Sequence, residues 1–393
     1  MSRGPRREIA LNAGAMAFFL GTFVSMPFVS RFAVSLGASS VEVSMLGPAF
    51  SLAGVILRPV CGLLLDRGYL KRLIYSGLVC SVTAHFAYAL ASSVVHLYVG
   101  RVIHGVGFAL FVTSSIYTAT LAGEKAAEFI AWRSTMVGLG MALGPAIGGF
   151  LARVMNYREL FYVAALVVTA AIPVHGHALR GLRIPRATGY GGSSLRDLLV
   201  PGFLAASTSI FTYSAFYNSL LLFLPALHEM LGVPAEFTGL AFTAASFTNL
   251  LSRVLFTGAS KKAPVTALAS AGHLLVLLGS TLVAWNTHTA TLHAYMGVVG
   301  FGGGLLIPAI QVMATLSVRE RSRGLAIGFF AAIFESGNLC GPPLAMAIGG
   351  DYENSLKAAA LLNAIGSLTL LLHHSLRERG DEKPFSSSLR RGA

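Results

Sequence analysis

The sequence predicts an all-α membrane protein with twelve transmembrane helices in two parallel six-helix halves, and three observations lead there. The 393 residues are 54% hydrophobic and 11% charged, with a mean hydropathy of +0.69; soluble domains carry about 25% charged residues. The apolar residues fall in runs of span length, since roughly 20 helical residues cross a hydrocarbon layer about 30 Å thick. Residues of the first half recur at a nearly constant interval in the second.

The runs are 9–30, 43–65, 73–93, 95–120, 129–152, 159–178, 198–224, 236–258, 263–285, 289–316, 324–349 and 356–374. Met1 to Arg7 is basic, but the run that follows is long enough to span and lacks a small-residue cleavage site, so it reads as a first helix rather than a leader. Gly62 to Arg72 is a charged bridge between two spans and must lie in water. With the N-terminus inside, the inner segments hold Arg3, Arg6, Arg7, Arg67, Lys71, Arg72, Lys125, Arg180, Arg183, Arg186, Arg196, Lys261, Lys262, Arg319, Arg321, Arg323 and the basic tail. The outer segments hold only Arg31, Arg153, Arg158 and Lys357. This bias places both termini in the cytoplasm of a multi-pass cell-membrane protein in direct contact with the lipid bilayer. It also accounts for the net charge of +13, so no nucleic acid partner is expected.

Enzyme signatures fail on inspection. His228-Glu229 begins a metalloprotease pattern, but Gly232 stands where the second histidine is required. Gly105-x-Gly107 is followed by Leu110, so there is no dinucleotide fingerprint, and no Gly-x-Ser-x-Gly occurs. Cys61, Cys80 and Cys340 are far apart in apolar runs and read as small hydrophobes. No cofactor and no metal are expected.

Residues 179–197 form the longest turn-like stretch, with Gly181, Pro185, Gly189, Gly191 and Gly192, and divide the chain into two sixes. The expected units are a first half over 1–178, a linker over 179–197, a second half over 198–374 and a tail over 375–393. Leu36-Gly37 and Arg58 recur 195 residues later as Leu231-Gly232 and Arg253. Gly100, Gly105, Gly107, Gly140, Gly144 and Pro145 recur 197 residues later as Gly297, Gly302, Gly304, Gly337, Gly341 and Pro342. Parallel repeats of this kind occur in transporters that bind substrate near the midplane between the halves.

Across essentially its whole length the chain resembles the major facilitator superfamily. The loop after the second span is similar to the family's Gly-x3-Asp-Arg-x-Gly-basic-basic motif through Gly62, Asp66 and Arg67. Gly68 stands one residue early and Lys71-Arg72 one residue late, so the charges are kept around a changed turn. Arg101-Val-Ile-His104-Gly105-Val-Gly107 resembles the fourth-span motif. Gly140-x3-Gly144-Pro145-x2-Gly148-Gly149 resembles the fifth-span motif of drug–proton antiporters. The Arg58-Pro59-x2-Gly62-x3-Asp66-Arg67 run is similar to the branch of sugar-efflux-like, multidrug and metallophore exporters.

The resemblance implies an inner gate of Arg58, Gly62, Asp66, Arg67, Lys71 and Arg72. It makes the second and eleventh spans neighbours, so Asp66 would meet the helix N-terminus near Arg323-Gly324, where a carboxylate gains about 0.3–1 kcal/mol; alternatively Asp66 only marks a topogenic loop. A charge inside a span costs at least about 2.5–3.5 kcal/mol, so Arg58, Arg101, Arg133 and Arg253 each need a partner. Arg58 lies about 12 Å above Asp66 and Glu335 about 17 Å into its own span at 1.5 Å per residue, depths that allow them to pair. Arg253 pairs with Glu128, or it and Arg133 snorkel inward. Gly140, Gly144, Gly148 and Gly149, with Pro145 as a kink, form a small-residue stripe for close helix packing.

Glu335 is the one carboxylate deep in any run, because Glu42, Glu229 and Glu236 sit near outer ends; it is the candidate for coupling to protons. Arg101, which the resemblance ties to coupling or to substrate charge, and His104 join it, although backbone carbonyls holding Arg101 would serve packing alone. Candidate substrate contacts are Phe19, Thr22 and Met26 in the first span, Arg101, His104 and Phe108 on one face of the fourth, Tyr213, Phe216, Tyr217 and Asn218 in the seventh, and Gln311 in the tenth. The expected function is a monomeric secondary transporter working by alternating access, exporting a small organic molecule in exchange for protons. A uniporter or importer and a transport-incompetent membrane sensor are the alternatives.

Overall fold

The computed structural model describes residues 5–120, 126–180 and 194–379. Most of the expected linker (181–193), Lys125, the tail from residue 380 and the side chain of Asp66 lie outside the described residues. The helices are α1 (Pro5–Ser25), α2 (Phe28–Ser35), α3 (Ser40–Asp66), α4 (Leu70–Ala89), α5 (Val94–Thr120), α6 (Ala126–Val154), α7 (Tyr157–Ala178), α8 (Pro201–Met230), α9 (Ala235–Ala259), α10 (Val265–Trp285), α11 (Leu292–Leu316), α12 (Arg323–Gly349) and α13 (Tyr352–Arg379). Counting α1 and α2 as one, eleven are long and apolar enough to cross a membrane. The twelfth is α4, which carries Lys71 and Arg72 in its first turn and Ser76, Ser81, Thr83 and His85 along its length.

Two expected boundaries are corrected. The first run is not one helix over 9–30: it breaks at Met26-Pro27 and continues as α2. Pro27 has no N–H and its ring crowds the carbonyl four residues back. The seventh span begins at Pro201 rather than residue 198 and runs to Met230 rather than 224. Proline is well placed in a first turn, and the apolar run continues through Pro225 to the Leu231-Gly232 turn.

That turn shows the internal repeat at the level of backbone conformation. Gly37 after α2 and Gly232 after α8 have φ of 85° and 66°, in the left-handed region, and each reverses the chain into the next helix. Ser39 then starts α3 with a reciprocal cap, accepting from the Glu42 N–H at 3.3 Å while Glu42 Oε2 accepts from the Ser39 N–H at 2.8 Å. In the loop resembling the family motif, Gly68 has φ 88° and its N–H reaches the Leu65 carbonyl at 2.9 Å. The displaced glycine is therefore the left-handed residue that ends α3.

The small-residue stripes set the packing. Gly140, Gly144 and Gly148 of α6 lie against α1: a Cβ at Gly140 would come 2.8 Å from the Met16 carbonyl oxygen, and one at Gly144 2.7 Å from Phe23 Cβ. Gly337 and Gly341 of α12 press in the same way on Phe211 and Ala215 of α8. The halves meet chiefly where α3 packs on α12 and α6 on α9, and also where α2 and, more lightly, α3 pack on α8. The first two run along the helices, whereas α2 closes one end. Because α8 is gripped by α2, α3, α11, α12 and α13, it is the most deeply buried of the spans.

Candidate functional site

On the seam between α3 and α12, Arg58 Nη2 pairs with Glu335 Oε1, joining the two halves within their membrane-spanning parts. Gly54 makes room, since a Cβ there would stand 3.0 Å from the Glu335 carboxyl carbon. Asn338 Nδ2 donates weakly to Glu335 Oε2 at 3.4 Å, and Asn218 Nδ2 of α8 donates to the Asn338 carbonyl at 2.6 Å. The Glu335 side chain is 5% exposed and that of Arg58 23%, and Arg58 Nε is buried with no partner. A charge pair held this far from water is costly to leave half-made.

At the α2 end a second cluster crosses the halves. Arg31 Nε donates to Glu229 Oε2 at 2.8 Å and to the Tyr157 hydroxyl at 3.0 Å, Nη1 to Thr238 Oγ1 at 2.7 Å, and Nη2 to the Val233 carbonyl at 2.8 Å. The Tyr157 hydroxyl donates to Glu229 Oε2 at 2.5 Å. His228 braces the group, with Nδ1 2.8 Å from Thr238 Oγ1 and Nε2 2.7 Å from the Thr287 carbonyl. No candidate drawn from the sequence lies in this cluster. The available signal was a pair of opposite charges, Arg31 and Glu229, at the ends of spans on one face of the membrane.

Within the first half, Arg101 is fully buried. Its Nε donates to the Leu46 carbonyl at 2.9 Å and its guanidinium lies 4.6 Å from the centre of the Phe50 ring. His104 Nδ1 lies 3.2 Å from the Tyr88 hydroxyl, and its ring sits 4.8 Å from that of His85, whose Nε2 is 3.0 Å from Ser25 Oγ. The His104 Nε2 and Thr22 Oγ1 atoms are buried without partners. Phe19 and Phe108 meet edge to face at 5.8 Å.

In the second half Tyr213 and Tyr217 stack at 5.9 Å with their rings 14° from parallel. Ser246 reaches Tyr217, and Arg253 lies within electrostatic range of Tyr213. Arg253 Nε donates to Asn249 Oδ1, one turn back, at 3.0 Å. The alternative pairing of Arg253 with Glu128 is thereby corrected: Glu128 is exposed, and the spacing of Asn249 and Arg253 on one helix supplies a nearer acceptor. Arg133 Nε donates to Ser115 Oγ at 3.0 Å, while its Nη2 is buried without a partner.

The remaining candidates scatter. Phe216 is 1% exposed in the core, Met26 is partly buried near the α1–α2 break, and Gln311 is exposed. Arg67 and Arg72 are exposed and Lys71 half-buried, with Arg72 over the Tyr69 ring at 5.2 Å. Arg323 pairs with Glu320 at 3.2 Å. The Asp66 latch falls on a side chain outside the described residues. Among the described residues no cluster of histidine, cysteine and carboxylates able to hold a metal ion forms.

The family model of the Major Facilitator Superfamily matches residues 11–285 and 205–391. Quinolone resistance protein NorA of Staphylococcus aureus (strain MRSA252) is 30% identical over 157 residues, a match spanning 39% of this chain and 40% of that protein. Multidrug resistance protein 1 of Bacillus subtilis (strain 168) is 24% identical over 342 residues, 82% of this chain and 85% of its own length. Among solved structures, the nucleoside transporter NupG superposes with a TM-score of 0.71 at 12% identity, covering 93% of this chain and 98% of its own. A bacterial homolog of the human lysosomal transporter Spinster, inward-facing and occupied, gives 0.72 at 18% identity, covering 94% and 97%. Twelve long helices, two repeated halves and a family match from one end of the bundle to the other lead to one conclusion: the chain is a multi-pass membrane protein that belongs to the major facilitator superfamily.

Proposed function

We propose that this transporter exports a small organic molecule by alternating access and exchanges it for protons. The observation that carries the reading is the Arg58–Glu335 pair: it joins α3 to α12 across the moving seam and contains the carboxylate set deepest in the spans. When Glu335 takes up a proton its attraction for Arg58 is lost, so the strength of the contact between the halves follows protonation. A ligand that favours one arrangement of the halves shifts the population toward it. Arg101 and His104, buried beside Tyr88 and His85, are proposed as the remaining coupling groups. The Gly62–Arg72 loop, including Asp66, is proposed as the inner gate. Names among the relatives that refer to quinolone and multidrug resistance support export; the nucleoside transporter among the structural neighbours supports only the fold.

The test is flux into proteoliposomes under an imposed pH gradient. Glu335→Gln is expected to abolish pH-driven flux while keeping substrate binding, read as thermal stabilisation of the purified protein. Undiminished pH-driven flux in this variant removes Glu335 from the mechanism and leaves the uniporter as the better reading.

A further inference from the structure

The internal repeat places two equivalent seams in the molecule, and they carry different charges. Arg58 of α3 corresponds to Arg253 of α9, and Glu335 of α12 corresponds to Gly138 of α6, at the repeat offsets of 195 and 197 residues. The α3–α12 seam therefore holds an arginine and its acid, whereas the α6–α9 seam holds the arginine alone. Gly138 packs against Leu250, with a Cβ there 2.8 Å from Leu250 Cδ1. No ion pair neutralises Arg253 among the described residues, and its Nε donates to the neutral Asn249 amide.

A second arginine stands at the same level. The α6–α9 register is given by Thr243 donating to the Ala142 carbonyl at 2.7 Å, by Gly149 against Glu236 and Gly239, and by Gly138 against Leu250. The helices run antiparallel, so continuing this register brings Arg133 level with Arg253. Arg133 reaches Ser115 of α5, and Arg253 stands within electrostatic range of Tyr213 of α8. Arg133 likewise makes no ion pair among the described residues, and its Nη2 is buried without a partner. Arg253 is exposed although its helix is packed between α6 and α11, and its bond to Asn249 uses only Nε. Uncompensated charges in a span are costly and mark substrate or ion pathways, and a planar guanidinium is suited to a carboxylate or sulfonate.

We propose that the cargo is an organic anion: its carboxylate or sulfonate is held by Arg253 and Arg133, and its aromatic body lies against the stacked Tyr213 and Tyr217. This rests on the transporter reading above and supplies its substrate class. The substrate stands in for the acid that Glu335 provides on the other seam. Gly303, where a Cβ would approach the Tyr213 hydroxyl at 2.7 Å, keeps the wall of α11 flat beside the two rings.

The test uses three probes of one shape and different charge: 2-naphthoate, 2-naphthalenemethanol and 2-naphthylmethylammonium. Each is titrated against the purified full chain and then measured as flux in proteoliposomes. Naphthoate is expected to bind at least about tenfold more tightly than the other two. Arg253→Gln and Arg133→Gln are each expected to remove that preference, and Arg253→Lys to keep part of it, because charge without the planar fork is retained. Gly138→Glu combined with Leu250→Ala is expected to supply the missing internal acid and to abolish naphthoate binding in a folded protein. Preference for the ammonium, binding of none of the three, or unchanged naphthoate binding in the folded variants overturns the proposal. Flux of the ammonium or the alcohol would leave the transporter reading standing while the anion assignment fell; absence of flux for all three, with binding intact, would count against the transporter reading itself.

Discussion

Arg31 Nε and Glu229 Oε2 lie 2.8 Å apart and tie α2 of the first half to α8 of the second. The side chains are 5% and 21% exposed; Tyr157 shares the Nε–H with Glu229, and Thr238 and the Val233 carbonyl each accept from one terminal nitrogen of the guanidinium. The cluster acts as a clasp at one end of the bundle, because separating the halves there breaks the bonds from Arg31 to Glu229, Thr238 and Val233 together with that from Tyr157 to Glu229.

A double-mutant cycle of Arg31→Ala and Glu229→Ala, read by denaturation of the detergent-purified protein, is expected to give a coupling of about 1–3 kcal/mol, within the range for contacting charged neighbours. Additivity within about 0.5 kcal/mol would mean that the pair does not hold the α2 end. The partial exposure of Glu229 puts the expected value below the cost of breaking a fully buried pair, about 3–5 kcal/mol.

The Arg58–Glu335 contact is tested by exchanging its charges. Arg58→Glu and Glu335→Arg singly place two like charges on the α3–α12 seam and are expected to lower the melting temperature. The double exchange is expected to recover most of that loss. Failure of the double variant to recover would show that Asn338, or the space left by Gly54, demands the native orientation.

Gly144→Leu is expected to destabilise by about 1–3 kcal/mol or more, the usual cost of overpacking, because its Cβ already falls 2.7 Å from Phe23 Cβ on α1. Gly62→Ala serves as the control on a neighbouring motif, since nothing lies within 4 Å of a Cβ there. Equal melting temperatures for the two variants would refute the close-approach role of the stripe.

Gly68→Ala forces a side chain into a left-handed conformation, φ 88°, at a cost of roughly 1–2 kcal/mol. Asn tolerates that region better, so the expected order of melting temperatures is wild type, Gly68→Asn, Gly68→Ala. An alanine variant as stable as wild type would show that the α3–α4 turn relaxes to another shape.

Much of the architecture can be read from the chain because a membrane allows few solutions. Backbone groups in hydrocarbon must be paired within the segment, so each apolar run of sufficient length has to be a helix. Repeated glycines and the Leu-Gly turns then give two parallel halves. Depth also follows from counting: Arg58 and Glu335 fall at nearly the same level because each lies a known number of 1.5 Å steps from its end. Helix ends were less legible, as at Met26-Pro27 and Pro201, because hydropathy reports where the lipid stops and not where the backbone changes conformation.

Which side chains share a level and a face is settled by how the helices pack. Glu229, Tyr157, Thr238 and Arg31 come from four helices and meet only after the halves dock. Arg253 bonds Asn249, one turn back on its own helix, while Glu128 stays exposed at the start of α6. The chain alone shows that arginines stand inside the spans and that Gly138 replaces the acid of Glu335 in the repeat; the packing of α3 on α12 brought Arg58 and Glu335 into contact.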